Sequence, residues 1–157
     1  MSKILIRPFN PSDTTHLIKL FRDAVHAINI KHYSPEQVTV WAPDEIDEQK
    51  WKTKLSKLIT FVAEIDGLIV GFADMTHEGY LDHLYIHKDY QARFVSLRLL
   101  RAIEKAARDL GLSKITTDCS ITARVPAERM GFKVIKEQTV VRKGVELINY
   151  AMEKELK

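Results

Sequence analysis

Cysteine is nearly absent from this sequence, in which Cys119 is the single one among 157 residues. One thiol excludes an internal disulfide and a cysteine-based zinc cluster, so we expect a chain that folds in a reducing cytoplasm. Long apolar runs are missing too: the longest, 58–63 and 68–73, are far shorter than the roughly 20 residues of a membrane-spanning helix. The apolar stretch Ile4–Ile6 is likewise too short for a secretory signal. We therefore expect no membrane partner and no export by that route.

Charge of one sign is also lacking, since 24 lysines and arginines stand against 21 aspartates and glutamates, a net charge of +3. The basic residues are interleaved with acidic ones, which argues against a nucleic-acid partner. Internal repeats, low-complexity tracts and Pro/Gly/Ser-rich linkers are absent as well. Because 45% of the residues are hydrophobic, the whole chain, residues 1–157, is predicted to form one domain around its own core.

Hydrophobic periodicity and turn residues predict an α/β fold with the element order β-α-α-β-β-β-α-β-α-β-β. The first third of the chain is mostly helical in this prediction. A short apolar strand over residues 3–8 leads into capping residues 10–13 and a helix with Phe21 on its apolar face. Ser34 restarts a short helix, and Asp44 is expected to cap the next one.

Alternating apolar residues predict the strands of the middle and last thirds. Asp66-Gly67 lies between two β-rich runs and predicts a tight hairpin. The next strand is expected at Tyr80–Ile86, followed by a long helix over about residues 93–110. After one more strand, Ser120 is expected to cap a further helix, and the chain ends in a hairpin around Lys143-Gly144.

The junction between the strand that ends at Ile86 and the long helix is the segment most suggestive of ligand binding. A strand that feeds a helix N-terminus presents free backbone N–H groups and the positive end of the helix dipole, which suit a pyrophosphate. Junctions of this kind also occur where nothing binds. The residues of the junction alone therefore leave both interpretations open.

Five sequence blocks connect the chain to a known family. In chain order they are Tyr33–Gln37 with Trp41–Pro43, Phe61–Glu64, Gly71–Asp74, Gly79–Gln91, and Ser120–Arg124 with Glu128–Phe132. With these blocks and its element order, the chain resembles the GNAT superfamily of acetyl-CoA-dependent N-acetyltransferases over essentially its full length. The resemblance implies the GNAT acyl-CoA N-acyltransferase fold, whose mixed, V-shaped sheet is splayed near the fourth strand. It also implies acetyl-CoA as co-substrate, no metal, and direct transfer of the acetyl group to an amine.

The resemblance assigns cofactor contacts to the end of the fourth strand and to the loop that follows it. Backbone groups of Leu84, Tyr85 and Ile86 are expected to pair with the pantetheine amides. Further cofactor-binding residues, in the pyrophosphate loop and after the next strand, are expected to be Gln91, Ala92, Arg93, Phe94, Val95, Ser96 and Ser120.

Two cofactor-contacting segments depart from the family. The family's loop pattern is Gln/Arg-x-x-Gly-x-Gly/Ala, and here Phe94 and Ser96 stand where the glycines belong. A Cβ at Phe94 is expected to hinder the close approach of a phosphate and to restrict the backbone, while Arg93 offers a charged partner in compensation. In the helix after Ser120, Ala127 occupies the position of an aromatic residue, commonly the tyrosine that protonates the leaving thiolate.

An amine acceptor needs a base near the splay, because an ammonium has no lone pair with which to attack. By its place in the family Asp82 is the first candidate, with His83 second and Glu64 third. Tyr85 and Tyr80 are candidate proton donors. The alternative is that Asp82 is a solvated strand residue and His83 a hydrogen-bonded core histidine, and geometry is needed to choose.

The resemblance implies that the helical section forms the acceptor pocket, and Tyr33, Trp41 and Tyr80 are expected to bind a small amine there. Trp51 is expected to be a core residue of its helix. Two functions follow. The first is an N-acetyltransferase, and the second is a binding or regulatory protein that keeps the fold but has weakened or lost acetyl-CoA binding through the altered loop. A homodimer is a family-level expectation.

Overall fold

A seven-stranded sheet runs through the centre of the protein in the computed structural model, which describes residues 3–157. Its strands are β1 (Ile4–Pro8), β2 (Ile59–Ile65), β3 (Leu68–Met75), β4 (Tyr80–Ile86), β5 (Lys114–Ser120), β6 (Lys133–Arg142) and β7 (Val145–Glu155). Within these residues, five α-helices flank the sheet: α1 (Thr14–Ala27), α2 (Pro35–Trp41), α3 (Glu48–Lys57), α4 (Val95–Asp109) and α5 (Ile121–Arg129). The α/β fold predicted from the sequence is confirmed.

The helical section between β1 and β2 holds three α-helices, which match the helix starts predicted at residues 10–13, at Ser34 and near Asp44, although the predicted element order counts only two. The prediction is wrong about one cap, because Asp47 rather than Asp44 caps α3. Oδ1 of Asp47 accepts a hydrogen bond from the N–H of Lys50 at 3.1 Å. The carbonyl of Asp44 instead accepts from the Arg22 guanidinium at 2.7 Å, which holds the non-helical residues 42–47 against α1.

The strand order β1-β2-β3-β4-β5-β7-β6 contains one parallel pair among the described strands, β4 with β5. These two strands pair only at their starts, where Tyr80 lies opposite Thr116 and Leu81 opposite Thr117. Beyond Leu81 they diverge and open the sheet into a V. The splay that the resemblance implies at the fourth strand is therefore present.

The diverging part of β4 leaves some backbone groups without a strand partner. The N–H of His87 donates to the carbonyl of Val70 on β3 at 2.8 Å. The hydrogen-bonding direction of the backbone alternates along an antiparallel strand. The backbone N–H and C=O groups of Tyr85 therefore also point toward β3, whereas those of Leu84 and Ile86 point into the splay.

Two hydrophobic cores lie on opposite faces of the sheet, since neighbouring residues along a strand belong to different cores. The core under α4 and α5 contains Leu99, Ile103, Ile115 and Met152. The core under α1, α2 and α3 contains Phe21, Leu55, Phe72 and Leu147. None of the helices described over residues 3–157 has the length and apolar character needed to cross a membrane.

Candidate active site

A cavity of about 660 Å³ opens where β4 and β5 diverge. Its wall is formed by β4 and the end of β5, by residues of β6 and β7, by α1, α2, α3 and α5, and by the start of α4. The predicted site residues that line it are Tyr33, Trp41, Tyr80, Asp82, His83, Leu84, Tyr85, Ile86, Gln91, Ser96 and Ser120. The predicted residues Ala92, Arg93, Phe94 and Val95 are not part of its wall. The tertiary structure thus brings most of the predicted site together.

An aspartate–histidine pair lies at the inner part of this wall. Asp74, on β3, is completely buried, and its Oδ2 is 2.8 Å from Nδ1 of His83 on β4. Oδ1 of Asp74 accepts a second hydrogen bond, from the backbone N–H of His83, at 3.1 Å. Since a carboxylate can only accept, Nδ1 carries the proton of the first bond, and Nε2 keeps a lone pair that can accept a proton.

Aromatic side chains enclose the imidazole of His83. The ring centroids of Trp51, Phe72, Phe21 and Tyr85 lie 5.3, 5.7, 5.9 and 5.9 Å from its own. The side chain of His83 keeps 15% of its surface exposed, and it lines the cavity. Packing and the two bonds to Asp74 therefore fix the ring in one orientation at the cavity wall. Trp51, expected in the core, lies both in that packing and in the cavity wall.

Asp82, the first candidate base, forms an ion pair. Its Oδ2 lies 2.5 Å from Nζ of Lys54 on α3 and 3.9 Å from Nδ1 of His83. Burial favours the protonated acid, but the charges of His83 and Lys54 outweigh burial and hold the pKa of Asp82 below its usual range. Asp82 is therefore an ionised carboxylate with a cation as its partner, which makes it a weaker base than an isolated carboxylate.

Two tyrosine hydroxyls are candidates for donating a proton in this cavity. Burial raises the pKa of the Tyr85 phenol well above its ordinary value. The pKa of Tyr80 is also raised, first by burial and then by its hydrogen bond to Asp118, whose Oδ2 accepts at 2.8 Å. A raised pKa keeps a phenol protonated at neutral pH, so Tyr85 can act as a donor, whereas Tyr80 already donates its proton to Asp118.

Tyr33 and Trp41, the other predicted substrate contacts, meet edge to face on the helical side of the cavity, with ring centroids 5.2 Å apart. The hydroxyl of Tyr33 is already engaged. It donates to the carbonyl of Ile148 on β7 at 2.6 Å and accepts from the N–H of Ile121 at 2.9 Å. Tyr33 therefore joins α5 to β7 and presents its ring, not its hydroxyl, to a ligand.

The loop before α4 adopts the backbone of a glycine-containing turn without any glycine. Ala92 and Phe94 have φ angles of 58° and 64°. This left-handed region suits glycine and costs other residues roughly 1 kcal/mol or more. Phe94 is 74% exposed and does not line the cavity. The substitution expected to obstruct the loop therefore directs its ring into solvent.

The start of α4 offers backbone N–H groups to a ligand. The first described hydrogen bond into the helix runs from the N–H of Arg98 to the carbonyl of Phe94 at 3.1 Å. Among residues 3–157, nothing accepts a hydrogen bond from the N–H groups of residues 94–97. Free N–H groups at a helix N-terminus, together with the helix dipole, favour an anionic ligand.

Side chains of the preceding loop hold it in place. Nε2 of Gln91 donates to the carbonyls of Ile86 and His87, at 2.9 and 3.2 Å, and so ties the loop to the end of β4. The guanidinium of Arg93 lies over the ring of Tyr90, 5.1 Å from its centroid. Arg93 is thus positioned beside the helix start as an exposed cation.

The structure also shows the surroundings of three other residues considered from the sequence, Glu64, Ala127 and Cys119. Glu64 pairs with Arg7 of β1 and lies outside the cavity wall. Ala127 lines the cavity next to Pro126 and brings no hydroxyl there. Cys119 lines it as well, and burial raises the pKa of its thiol to about 12, so it is an unreactive thiol at neutral pH.

Asp74 and Lys54 are not among the site residues predicted from the sequence. In the structure Asp74 bonds the His83 ring, and Lys54 pairs with Asp82. A signal for Asp74 was present, because it is an acid near the end of the otherwise apolar run Leu68–Met75, and a buried acid requires a partner. Lys54 gave no such signal. It lies on the polar-rich helix α3, and its partner Asp82 is on a strand distant in sequence.

Comparison with known proteins gives consistent findings. Residues 29–154 match a family model described as "Acetyltransferase (GNAT) domain". The uncharacterized N-acetyltransferase YafP of Escherichia coli (strain K12) is 38% identical over 152 residues, which cover 97% of this chain and 96% of that protein. A crystal structure of a GCN5-related N-acetyltransferase from Rhodopseudomonas palustris has 33% identity and a TM-score of 0.95, over 99% of this chain and 98% of that one.

A more distant structure has the same fold. The PaiA N-acetyltransferase of Thermoplasma acidophilum, solved in complex with coenzyme A, has a TM-score of 0.80 at 20% identity. The similarity covers 98% of this chain and 99% of that one.

Proposed function

The chain belongs to the GNAT acetyltransferase family, and we propose that it transfers the acetyl group of acetyl-CoA to the amine of a small acceptor. The observation that carries the proposal is the Asp74–His83 pair in the wall of a cavity at the splay between β4 and β5. The splay is suited to an extended ligand with amide groups, and the paired imidazole is suited to removing a proton from an amine.

Acetyl-CoA fits three features of the cavity and of the loop and helix start beside it. The backbone groups of Leu84 and the N–H of Ile86 point into the splay and would pair with the pantetheine amides, as the resemblance implies, whereas the carbonyl of Ile86 already accepts from Gln91. The free N–H groups of residues 94–97 and the guanidinium of Arg93 would hold the pyrophosphate. When bound, acetyl-CoA supplies an acetyl group activated as a thioester.

We assign the base to His83, with Asp74 as the residue that positions it. Nε2 of His83 accepts a proton from the acceptor ammonium, and the fixed carboxylate of Asp74 stabilises the imidazolium that forms. Asp82 is less suited to this step, because Lys54 and His83 lower its pKa. Its negative charge in the cavity wall attracts an ammonium to the cavity.

Tyr85 is the proton donor we propose for the leaving sulfur. Its raised pKa keeps the hydroxyl protonated, and the residue lines the cavity one position after Leu84. This role does not require a hydroxyl at Ala127. Tyr33, Trp41 and Tyr80 are proposed to form the acceptor pocket on the helical side.

The proposal is tested first by calorimetry of acetyl-CoA and of CoA with the purified chain. Micromolar binding of acetyl-CoA is expected, followed by release of free CoA when primary amines are added. His83→Gln serves as the matched variant, since it should bind acetyl-CoA as the wild type does and lose turnover. No binding at millimolar acetyl-CoA would instead support the binding or regulatory protein. The homodimer, the cytoplasmic location and the absence of a metal stay predictions.

A further inference from the structure

Asn149 lies in the cavity wall on the opposite side of the splay from His83. It belongs to β7, where it is the register partner of Ser120 on β5 and of Gln138 on β6. Leu147, two residues earlier on the same strand, packs in the core under α1, α2 and α3. Residues two apart share a face of a strand. Asn149 therefore lies on the face of the sheet that α1, α2 and α3 cover, where the proposed acceptor pocket lies.

The side-chain oxygen of Asn149 is buried without a hydrogen-bond donor. Over residues 3–157, Oδ1 of Asn149 is the one buried side-chain oxygen or nitrogen that has no partner. Burying an unpaired acceptor is costly, and native proteins do so rarely. A polar atom of this kind at a cavity wall is explained when a ligand supplies the missing donor.

Neighbouring donors do not supply it, and three of them bond other groups. Nδ2 of Asn29 donates to the Ser120 hydroxyl at 3.3 Å. The Tyr33 hydroxyl donates to the carbonyl of Ile148 at 2.6 Å. On the adjacent strand, Nε2 of Gln138 donates to Asp118 at 2.7 Å. The described residues thus leave Oδ1 of Asn149 without a donor, and Asn149 lines the cavity.

We infer that Oδ1 of Asn149 accepts a hydrogen bond from the acceptor, and that the enzyme selects amines that carry a second donor, a hydroxyl or an N–H group. The inference rests on the proposed function. The reacting amine lies at His83 on β4, and β5 with β7 diverges from β4 beyond Leu81. Asn149 thus contacts a part of the acceptor that is separated from its reacting amine.

The experiment compares pairs of acceptors that differ by one group. Ethanolamine, 3-aminopropanol, 4-aminobutanol and 5-aminopentanol are each compared with the alkylamine that has a methyl group in place of the hydroxyl, at saturating acetyl-CoA. At one chain length the wild type is expected to have a kcat/KM about tenfold higher for the amino alcohol. Asn149→Leu is expected to bring that ratio close to one. Asn149→Asp, which keeps an acceptor oxygen, is expected to preserve it.

A stability measurement separates binding from a structural role. Because Oδ1 has no partner in the free protein, Asn149→Leu is expected to leave the melting temperature unchanged or to raise it. A structural asparagine would lower it. Thr139→Leu, an exposed neighbour on β6, controls for adding a leucine to this sheet. A marked loss of thermal stability confined to Asn149→Leu would overturn the inference.

Two further outcomes would also overturn it. The first is a wild-type ratio of kcat/KM, amino alcohol to alkylamine, that is near one at every chain length. This is the result expected when only water donates a hydrogen bond to Oδ1. The second is a preference for the hydroxyl that survives in Asn149→Leu. If no amine is acetylated at all, the proposed function fails separately. In that case the inference is tested by calorimetry of the same amino alcohols with the CoA-saturated protein. Equal affinities of the wild type and of Asn149→Leu for the amino alcohols would contradict it.

Discussion

Asp74 accepts two hydrogen bonds from the single residue His83, one from the backbone N–H and one from Nδ1 of the ring. The first bond fixes the strand register beside the cavity, and the second fixes the ring tautomer. One buried carboxylate on β3 therefore determines both where the imidazole lies and which of its nitrogens can accept a proton.

Asp74→Asn is expected to keep the fold and to remove most of the turnover. The amide oxygen can still accept from the His83 N–H, but its NH₂ group now faces Nδ1 and moves the ring proton to Nε2. We expect kcat to fall on the order of a hundredfold or more, with an unchanged KM for acetyl-CoA and an altered pH–rate profile. Asp109→Asn, exposed on α4, is the matched control. An unchanged kcat would contradict the role of Asp74.

Asp82→Asn is expected to reduce turnover less than His83→Gln does, because Asp82 attracts the ammonium without taking its proton. Its effect on stability depends on pH. The pKa of Asp82 is lowered in the folded protein, so its ionised form stabilises the fold above the unfolded pKa of about 3.9, and this contribution is lost as the pH falls. Melting temperatures of wild type and variant should differ at pH 7, and the difference should shrink as the pH falls below about 3.9. A difference that persists in acid would contradict this account.

Phe94→Gly is expected to leave the affinity for acetyl-CoA within about threefold of the wild-type value, which is less than 0.7 kcal/mol. Phe94 already has the left-handed backbone that glycine would provide, and its ring is outside the cavity. Calorimetry of both proteins is the measurement. Phe94→Val, with a β-branched side chain that resists a positive φ, is expected to weaken binding. A large gain in affinity for Phe94→Gly would instead show that the phenylalanine impairs the loop.

Gly71→Ala is expected to destabilise the fold and to weaken acetyl-CoA binding together. A Cβ on Gly71 would lie 3.0 Å from methyl carbons of Ile86 and Leu99 and 3.1 Å from one of Val95, the first residue of α4. Relieving this overlap moves the helix start away from β3 at a cost of about 1–3 kcal/mol. Urea unfolding and calorimetry measure the two effects. Gly144→Ala, which meets no atom within 4 Å, should affect stability alone.

Cys119 is expected to react slowly with a thiol reagent at pH 8 in the folded protein and fully after unfolding in urea. Burial raises the pKa of its thiol to about 12, and only 7% of the residue is exposed. Cys119→Ala should accordingly keep most of the activity, because this thiol takes no part in the chemistry. Rapid modification of the native protein, coupled to loss of activity, would contradict the structural role.

The elements that the sequence predicted best are those with a strong local cause. Asp66-Gly67 connects β2 to β3 as predicted, because both residues adopt the positive φ angles, 51° and 80°, that a tight hairpin turn requires. Ser120 caps α5 through a hydrogen bond from the N–H of Ala123 to its hydroxyl oxygen at 3.1 Å. The cap of α3 was predicted wrongly at Asp44, because Asp44 and Asp47 have the same capping chemistry and only packing against α1 distinguishes them.

Within this chain, sequence determined the family, the order of most elements and most of the residues that surround the cavity, since these depend on local patterning and on motifs of adjacent residues. Tertiary structure decided how the acids are used. In the sequence, Asp74 is an acid in an apolar strand without an evident partner. The pairing of β3 with β4 places it against His83. Asp82 became the partner of Lys54 only when α3 packed on the sheet. The charge state of a carboxylate depends on groups within a few ångströms, and those groups are distant along the chain.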